Sequence, residues 1–219
     1  MKGNTFWKKH RREMVMVMLL VAAAAFITWQ VSEVHGCQPL PVDLAVQQWI
    51  LAIRNDFLNV AISALTHTAD TKTIVVLCAI LIISPVPGRL KFGVPVTLAS
   101  LSGLAIYKPM KHIYLRTRPE QVYHLVEQGG YSFPSGHSVT SVVVYGLLFH
   151  LIRKYCQNPL ARKILSGVCL FLALTVGPSR LYVGVHWFTD VMAGWCIGGA
   201  VVLLAILILE KLEERHESV

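Results

Sequence analysis

Tyr131–Ile152 reads YSFPSGHSVTSVVVYGLLFHLI. A turn-forming Pro134-Ser135-Gly136 and a titratable histidine, His137, stand at the mouth of the apolar run Val139–Ile152. A helix start needs only a cap residue, so the histidine asks for a role beyond folding. The run behind it has five counterparts: Met14–Val31, Thr73–Pro87, Phe92–Tyr107, Ile164–Val176 and Val191–Leu209. Several fall short of the roughly 20 residues that cross a hydrocarbon core. Short runs extend into polar ends when a bundle buries them, so all six read as spans. With 54% hydrophobic residues in 219, the chain is too apolar for an ordinary soluble domain. The expected fold class is all-α, a polytopic membrane helical bundle of six transmembrane helices.

The basic residues orient that bundle. Lys2, Lys8, Lys9, Arg11 and Arg12 precede the first run, and Arg89 and Lys91 lie between the second and third. Arg153, Lys154, Arg162 and Lys163 lie between the fourth and fifth, and Lys211 and Arg215 follow the last. Arg54, Lys72, Lys108, Lys111, Arg116, Arg118 and Arg180 fall on the other side. By the positive-inside rule both termini are expected in the cytoplasm and the second group outside it. The net charge of +8 is then a topology signal. It needs no nucleic-acid partner, and no basic stripe with interleaved aromatics suggests one.

The first run follows a basic segment, as a signal peptide does, but reads as an uncleaved span. Within Pro41–Thr66, Leu44, Val46, Trp49, Ile50, Ile53, Phe57, Val60 and Ala61 recur at helical spacing among polar residues. One or two amphipathic helices lying along the outer interface are expected there. This divides the chain into residues 1–66, a basic segment, first span and interfacial helices, and residues 67–219, a catalytic bundle. Of five cysteines, Cys78, Cys169 and Cys196 sit in apolar runs, and no C-x-x-C pair exists. They read as packing residues.

Three outward segments concentrate chemistry. In KHIYLRTRP, Lys111 and Arg118 are seven positions apart, two turns of a helix, and can share one face. The second is PSGH, Pro134–His137. The third is SRLYVGVHWFTD, with Ser179, Arg180, His186 and Asp190. Lys111, Arg118 and Arg180 gathered in one pocket would repel each other unless an anion sat among them. Phosphate suits guanidinium forks and an ammonium, and the Ser135-Gly136 helix start adds a hydroxyl and backbone N–H donors. Each cation alone could equally be an interfacial residue that snorkels. His186 and Asp190, spaced i, i+4 at the start of the sixth run, place the carboxylate where it can fix the imidazole's tautomer. Such an imidazole is a nucleophile or base. His137 supplies the complementary acid. His112 and His124 are outward loop residues without a role.

The ordered set Lys111-x6-Arg118-Pro119, Pro134-Ser135-Gly136-His137 and Ser179-Arg180-x5-His186-x3-Asp190 resembles the signature of the type 2 phosphatidic acid phosphatase (PAP2) superfamily. The resemblance runs from about Thr66 to Leu209. It implies a six-helix membrane bundle with an extracytoplasmic site, no metal and no cofactor. His186 would form a phosphohistidine, Asp190 would orient it, and His137 would protonate the leaving group. Lys111, Arg118, Ser135, Gly136 and Arg180 would hold the phosphoryl oxygens. Pro178, where an apolar residue is more usual, is expected to bend the approach to the third block.

Residue counting also disfavours other phosphatase chemistry. The outer segments near the motifs carry only Glu120, Glu127 and Asp190, too few carboxylates for a two-metal site, and no His-Glu-x-x-His occurs. Gly-x-Ser-x-Gly is absent, and Ser135 and His137 are too close in one turn for one to activate the other. The vanadium-dependent haloperoxidases share the phosphate-pocket residues, but six apolar runs argue against a soluble enzyme. The expected function is hydrolysis of a membrane lipid's phosphate ester or anhydride. Undecaprenyl diphosphate is the first candidate, followed by phosphatidylglycerophosphate and phosphatidic acid. A lipid-phosphate binder or transporter without turnover is the reading from another class. Nothing in the sequence sets the oligomeric state.

Overall fold

The protein was analysed as a computed structural model that describes residues 3–85 and 88–216, with side chains from Phe6 to Arg215. The described residues contain helices and no strand. In chain order these are α1 (Gly3–Lys9), α2 (Arg11–Trp29), α3 (Pro41–Ala52), α4 (Asp56–Thr66), α5 (Thr71–Ile83) and α6 (Leu90–Tyr114). They are followed by α7 (Gly136–Ser141), α8 (Leu147–Tyr155), α9 (Pro159–Tyr182) and α10 (Phe188–His216). A π turn, Gln30–Val34, prolongs α2, and another, Val142–Gly146, joins α7 to α8 in one continuous helical path.

Local chemistry sets several of these boundaries. Pro41 opens α3 at the position where a missing N–H costs nothing, and Asp43 accepts from the Leu40 N–H at 2.9 Å. Asn55 and Asn158 cap α4 and α9, each accepting from a backbone N–H at 3.0 Å. Leu115 closes α6 in the left-handed region, φ 49°.

Among the described residues four helices are long and apolar enough to cross a membrane: Arg11–Val34, Leu90–Tyr114, Pro159–Tyr182 and Phe188–Arg215. Asp56–Ala69 and Thr71–Ile83 qualify only as a pair, bent by 52°. Five of the expected runs lie wholly in helical segments, whereas the second leaves α5 at Ile83, and its Val86 and Pro87 lie outside the described residues. So does Lys2 of the basic segment. The segment Pro41–Thr66 forms two helices, as its spacing suggests. Pro178 lies inside α9 rather than in the turn that follows it. Met18, Phe26, Val76, Leu98, Phe171 and Ile208 point outward, as side chains of a bundle solvated by lipid do.

At the centre stands α10, packed against α2, α6, α7, α8 and α9. Its sequence Gly194-Trp-Cys-Ile-Gly198 is a small-xxx-small stripe, and the stripe lies on α7. A Cβ on Gly194 would come 2.8 Å from the Ser135 carbonyl oxygen, and one on Gly198 would come 2.9 Å from that of Val139. The absence of two side chains therefore lets the PSGH turn sit directly on the start of α10. Val139, Val143, Val144, Leu147 and Leu151 continue the contact as a buried core with Val96, Ala99, Ile197 and Val201.

The two ends of the bundle differ. Where α10 finishes, Lys9 pairs with Glu214 at 2.8 Å, Glu213 accepts from Lys154 and Tyr155, and Lys211 lies over Trp7. Where α10 begins, the three sequence blocks converge.

Gly194→Val should push α7 from α10, lowering the melting temperature in micelles and abolishing activity. Gly199→Ala, whose Cβ would meet only a flexible Leu20 methyl at 3.1 Å, should leave both nearly unchanged. Thermal melts and phosphate release on the same preparations check the pair.

Candidate active site

The PSGH turn is strapped to the third block by its backbone, Ser135 N donating to the Asp190 carbonyl at 3.1 Å. The Ser135 side chain faces α7, accepting from the Ser138 hydroxyl at 2.9 Å and, at 3.4 Å, from its N–H. Gly136 lies beneath the ring of Tyr107, which a Cβ would meet at 2.9 Å.

His186 and Asp190 are adjacent, but not through a helix face. His186 precedes α10, in a turn made by Gly184 at φ 78°. Its Nδ1 lies 3.3 Å from Asp190 Oδ2, while Nε2 lies 3.1 Å from an Arg118 guanidinium nitrogen. A guanidinium only donates and a carboxylate only accepts. Nδ1 therefore carries the hydrogen and Nε2 presents its lone pair. His186 is held well below its ordinary pKa, first by burial, then by the facing charges of Arg118, Lys111, Arg180 and His137. It is a neutral imidazole with an oriented lone pair.

The three cations are brought together without a shared helix. Lys111 sits on the last turn of α6, and the left-handed Leu115 turns the chain before Arg118. Lys111 and His112 thus belong to α6 rather than to a loop. Lys111 Nζ donates to the carbonyls of Tyr131 (2.7 Å) and Ser132 (3.1 Å). Arg118 donates to Gly129 (3.1 Å), Gly130 (3.0 Å), Tyr131 (3.0 Å) and Val185 (2.6 Å) carbonyls. Burial lowers its pKa only to about 10, so it remains charged at neutral pH. Arg180 reaches Thr66 Oγ1 at 2.8 Å and Gln128 Oε1 at 2.6 Å, and its buried Nε has no partner. The segment Glu120–Tyr131 is thereby wrapped around the cations. Within it His124 Nε2 bonds the Pro119 carbonyl at 2.9 Å.

Four residues to which the sequence argument gave no part in the site complete it. Arg116, which charge counting treated only as an outward basic residue, is fully buried. It donates to Asp190 Oδ1 at 2.6 Å, to Asp43 Oδ2 at 2.6 Å and to Thr189 Oγ1 at 2.8 Å. Asp43 also accepts from the Thr189 N–H at 2.8 Å. Ser132 donates its hydroxyl to Asp190 Oδ2 and approaches His186 Nδ1 at 3.4 Å. Asp70 bonds His137, with Oδ1 2.8 Å from Nε2. Arg116 sits two residues from Arg118 and could have been suspected, because one of two such neighbours must face away from a shared pocket. Asp43, Asp70 and Ser132 carried no spacing signal. Among the described residues no three His, Cys, Asp or Glu side chains converge as a metal-ion site.

A helical bundle whose three motif blocks meet at one end defines a class of membrane phosphatase. The PAP2 superfamily profile matches residues 92–214, and the chain belongs to that superfamily. It is 28% identical over 212 residues to phosphatidylglycerophosphatase B of Bacillus subtilis, covering 92% of this chain and 94% of that one. Over 138 residues it is 29% identical to an undecaprenyl-diphosphatase of Sulfolobus acidocaldarius, covering 58% and 63%. A solved PAP2-type phosphatidylglycerolphosphate phosphatase from Bacillus subtilis superposes with TM-score 0.73 at 25% identity, covering 91% of this chain and 96% of that one. Aquifex aeolicus LpxE shares the fold with TM-score 0.62 at 19% identity, covering 76% and 96%. The chain is thus a multi-pass membrane protein of a phosphatase family whose relatives act on membrane lipid phosphates.

Arg116→Met should leave Asp43 and Asp190 as uncompensated buried charges. A loss of about 3–5 kcal/mol is expected, read as a melting temperature lowered by roughly 10 °C in the same micelle.

Proposed function

We propose that this protein is a metal-independent lipid phosphatase that works through a phosphohistidine at the extracytoplasmic face of a six-span bundle. The observation that carries the reading is His186. It is a buried neutral imidazole, its Nδ1 proton is directed at Asp190, and its Nε2 lone pair faces Arg118, with the charges of Lys111 and Arg180 also acting on the ring. That is the state a nitrogen nucleophile needs, in surroundings that favour an anion. A phosphate binder without turnover would have no use for the oriented lone pair.

In the proposed reaction, Lys111, Arg118, Arg180, the Ser135 hydroxyl and the Gly136 N–H hold the phosphoryl oxygens. Nε2 of His186 attacks phosphorus, and Asp190 steadies the imidazolium character that develops. The P–O bond to the leaving group breaks with its electron pair going to oxygen, and His137 delivers the proton. Water then attacks the phosphohistidine, His137 takes its proton, and His186 is released neutral. No step requires a metal.

The expected placement of termini in the cytoplasm agrees with Lys9, Lys154 and Lys211 standing together at the end remote from the site. Six spans require that Gly136–Tyr155 cross the membrane as one path and that α5, which is bent away from α4 by 52°, supply another. In this reading α3 and α4 belong to an N-terminal unit on the outer interface, joined to the catalytic bundle through Asp43. An apolar groove lined by Thr71, Ile74, Leu104, Tyr107 and Thr140 abuts the PSGH turn. It suits a tail that stays in the bilayer while its phosphate turns inward.

Undecaprenyl diphosphate remains the first candidate substrate, because an outward site meets the spent carrier lipid on the face where it appears. Phosphatidylglycerophosphate is the second, favoured by the relative that matches over nearly its full length. Rates on undecaprenyl diphosphate, phosphatidylglycerophosphate and phosphatidate in one micelle system rank them.

Phosphate release should persist in excess EDTA, and a wild-type protein inert toward every lipid phosphate would sink the enzyme reading. His186→Ala should abolish the acid-labile phosphoenzyme; a phosphoenzyme that survives in that variant reassigns the nucleophile.

The nucleophile must be unprotonated, and its folded pKa lies well below 6.5. The acidic limb of kcat/KM should therefore lie well below pH 6.5, since that ratio reports the free enzyme. Arg118→Gln removes a facing positive charge and should move the limb to higher pH as well as lower the rate. A limb that stays put, or moves down, contradicts the electrostatic origin of the shift.

A further inference from the structure

The turn between α4 and α5 contributes to the site in a way that the motif blocks leave unassigned. It presents Thr66–Asp70 to three different partners. Thr66 Oγ1 accepts from Arg180 at 2.8 Å, the Thr68 carbonyl accepts from the Tyr145 hydroxyl at 2.7 Å, and Asp70 meets His137 at 2.8 Å. Asp70 occupies the N-cap of α5, yet its side chain makes no cap hydrogen bond. An aspartate at that position ordinarily accepts from the first-turn N–H groups. Here both oxygens are turned to imidazoles instead, Oδ1 to His137 Nε2 and Oδ2 to His67 Nδ1, each at 2.8 Å.

We propose that Asp70 is the positioning residue of the general acid: it takes the Nε2 hydrogen of His137, which makes Nδ1 the atom that protonates the leaving group. The inference rests on the phosphohistidine reading given above. A carboxylate only accepts, so Nε2 is the protonated ring nitrogen in the resting site. The leaving-group proton then has one place to reside, on Nδ1 of the imidazolium. When the P–O bond breaks, that proton goes to the departing oxygen, and His137 is left neutral with Nε2–H still on Asp70. In the second half-reaction Nδ1 takes the proton of the attacking water, and the cycle closes with no net proton on the protein.

The charges around the two histidines fit this division. His137 is faced by Asp70 from the α4–α5 turn, with His67 behind it, by Arg118 and Arg180, and by His186. Against burial and the two arginines, Asp70 is the group that supports an imidazolium at His137, and a bound phosphate adds its negative charge to that support. Asp190 differs, because Arg116 claims one of its oxygens and balances its charge within the same buried cluster. One carboxylate is neutralised beside the imidazole that must stay neutral to attack. The other is left with imidazoles beside the one that must carry a proton. Separating two like groups by environment in this way assigns acid and nucleophile.

The test compares two substrates in one micelle. An alkyl phosphate needs its leaving oxygen protonated, whereas the p-nitrophenolate of p-nitrophenyl phosphate departs without a proton. Asp70→Asn should lower kcat/KM for the alkyl phosphate about 10- to 100-fold, a part of what a general acid supplies. It should change kcat/KM for p-nitrophenyl phosphate less than about 3-fold, because that ratio excludes the hydrolysis of the phosphohistidine that both substrates share. Asp70→Glu, which keeps the charge, should recover part of the alkyl-phosphate rate. Equal losses on both substrates with no recovery in Asp70→Glu, or an undiminished alkyl-phosphate rate in Asp70→Asn, would overturn the assignment. His137→Ala run in parallel separates the levels. If it too fails to discriminate between leaving groups, the acid role of His137 and the mechanism beneath it fall. If it discriminates and Asp70→Asn does not, only the role of Asp70 falls.

Discussion

The structure hangs on a guanidinium held between two carboxylates. Arg116, Asp43 and Asp190 are all sealed from solvent, with both ion-pair distances at 2.6 Å. Removing three charges from water costs several kcal/mol apiece, and only close pairing and full hydrogen bonding offset it. That demand fixes three chain segments relative to one another: α3 through Asp43, the turn after α6 through Arg116, and the start of α10 through Asp190 and Thr189. Once Asp190 is fixed in this way, its second oxygen has a defined place, and His186 Nδ1, Ser132 Oγ and the Trp187 N–H are arranged around it. The orientation of His186 is therefore a consequence of where Arg116 sits.

A second constraint is steric. Both histidines stand at helix starts, and they can share a site only if those starts nearly touch. The Ser135 backbone donates to the Asp190 backbone carbonyl, and this contact closes because Gly194 and Gly198 leave no side chain between α10 and α7. Inside a membrane, where helix association draws on packing rather than on the hydrophobic effect, small residues are the means of such approach. The same stripe thus serves the bundle and the site.

How much was legible in the residues follows from which interactions are local. The apolar runs became helices because about 3.6-residue periodicity and chain composition act over a single segment. The three blocks were readable because eleven residues of set type and spacing seldom coincide in apolar surroundings. The reason given for joining Lys111 to Arg118 did not survive, since Leu115 in the left-handed region ends α6 between them. His186 likewise precedes the helix on whose face it was placed, and a tight turn at Gly184 brings it to Asp190. Arg116 looked like one more outward cation because burial is a tertiary property. Asp43 and Asp70 lie 147 and 120 positions before the aspartate and alongside no motif at all, and only the folded chain shows that each one answers a charge in the site.

The chain itself offsets part of the charge of its gathered cations. Lys111 and Arg118 spend most of their donors on carbonyls of Gly129, Gly130, Tyr131, Ser132 and Val185, partial negative charges that offset their mutual repulsion. Those carbonyls belong to the segment that runs directly into the PSGH turn, so the cations hold in place the wall that faces them. Arg180 is held from the other side by Thr66 and Gln128. Carbonyl dipoles balance a guanidinium only partly, and in the proposed reaction the arriving substrate phosphate would supply the full charge that they do not. The donors are already fixed in direction, so little reorganisation accompanies that arrival. The chain meets the cost of ordering them when it folds.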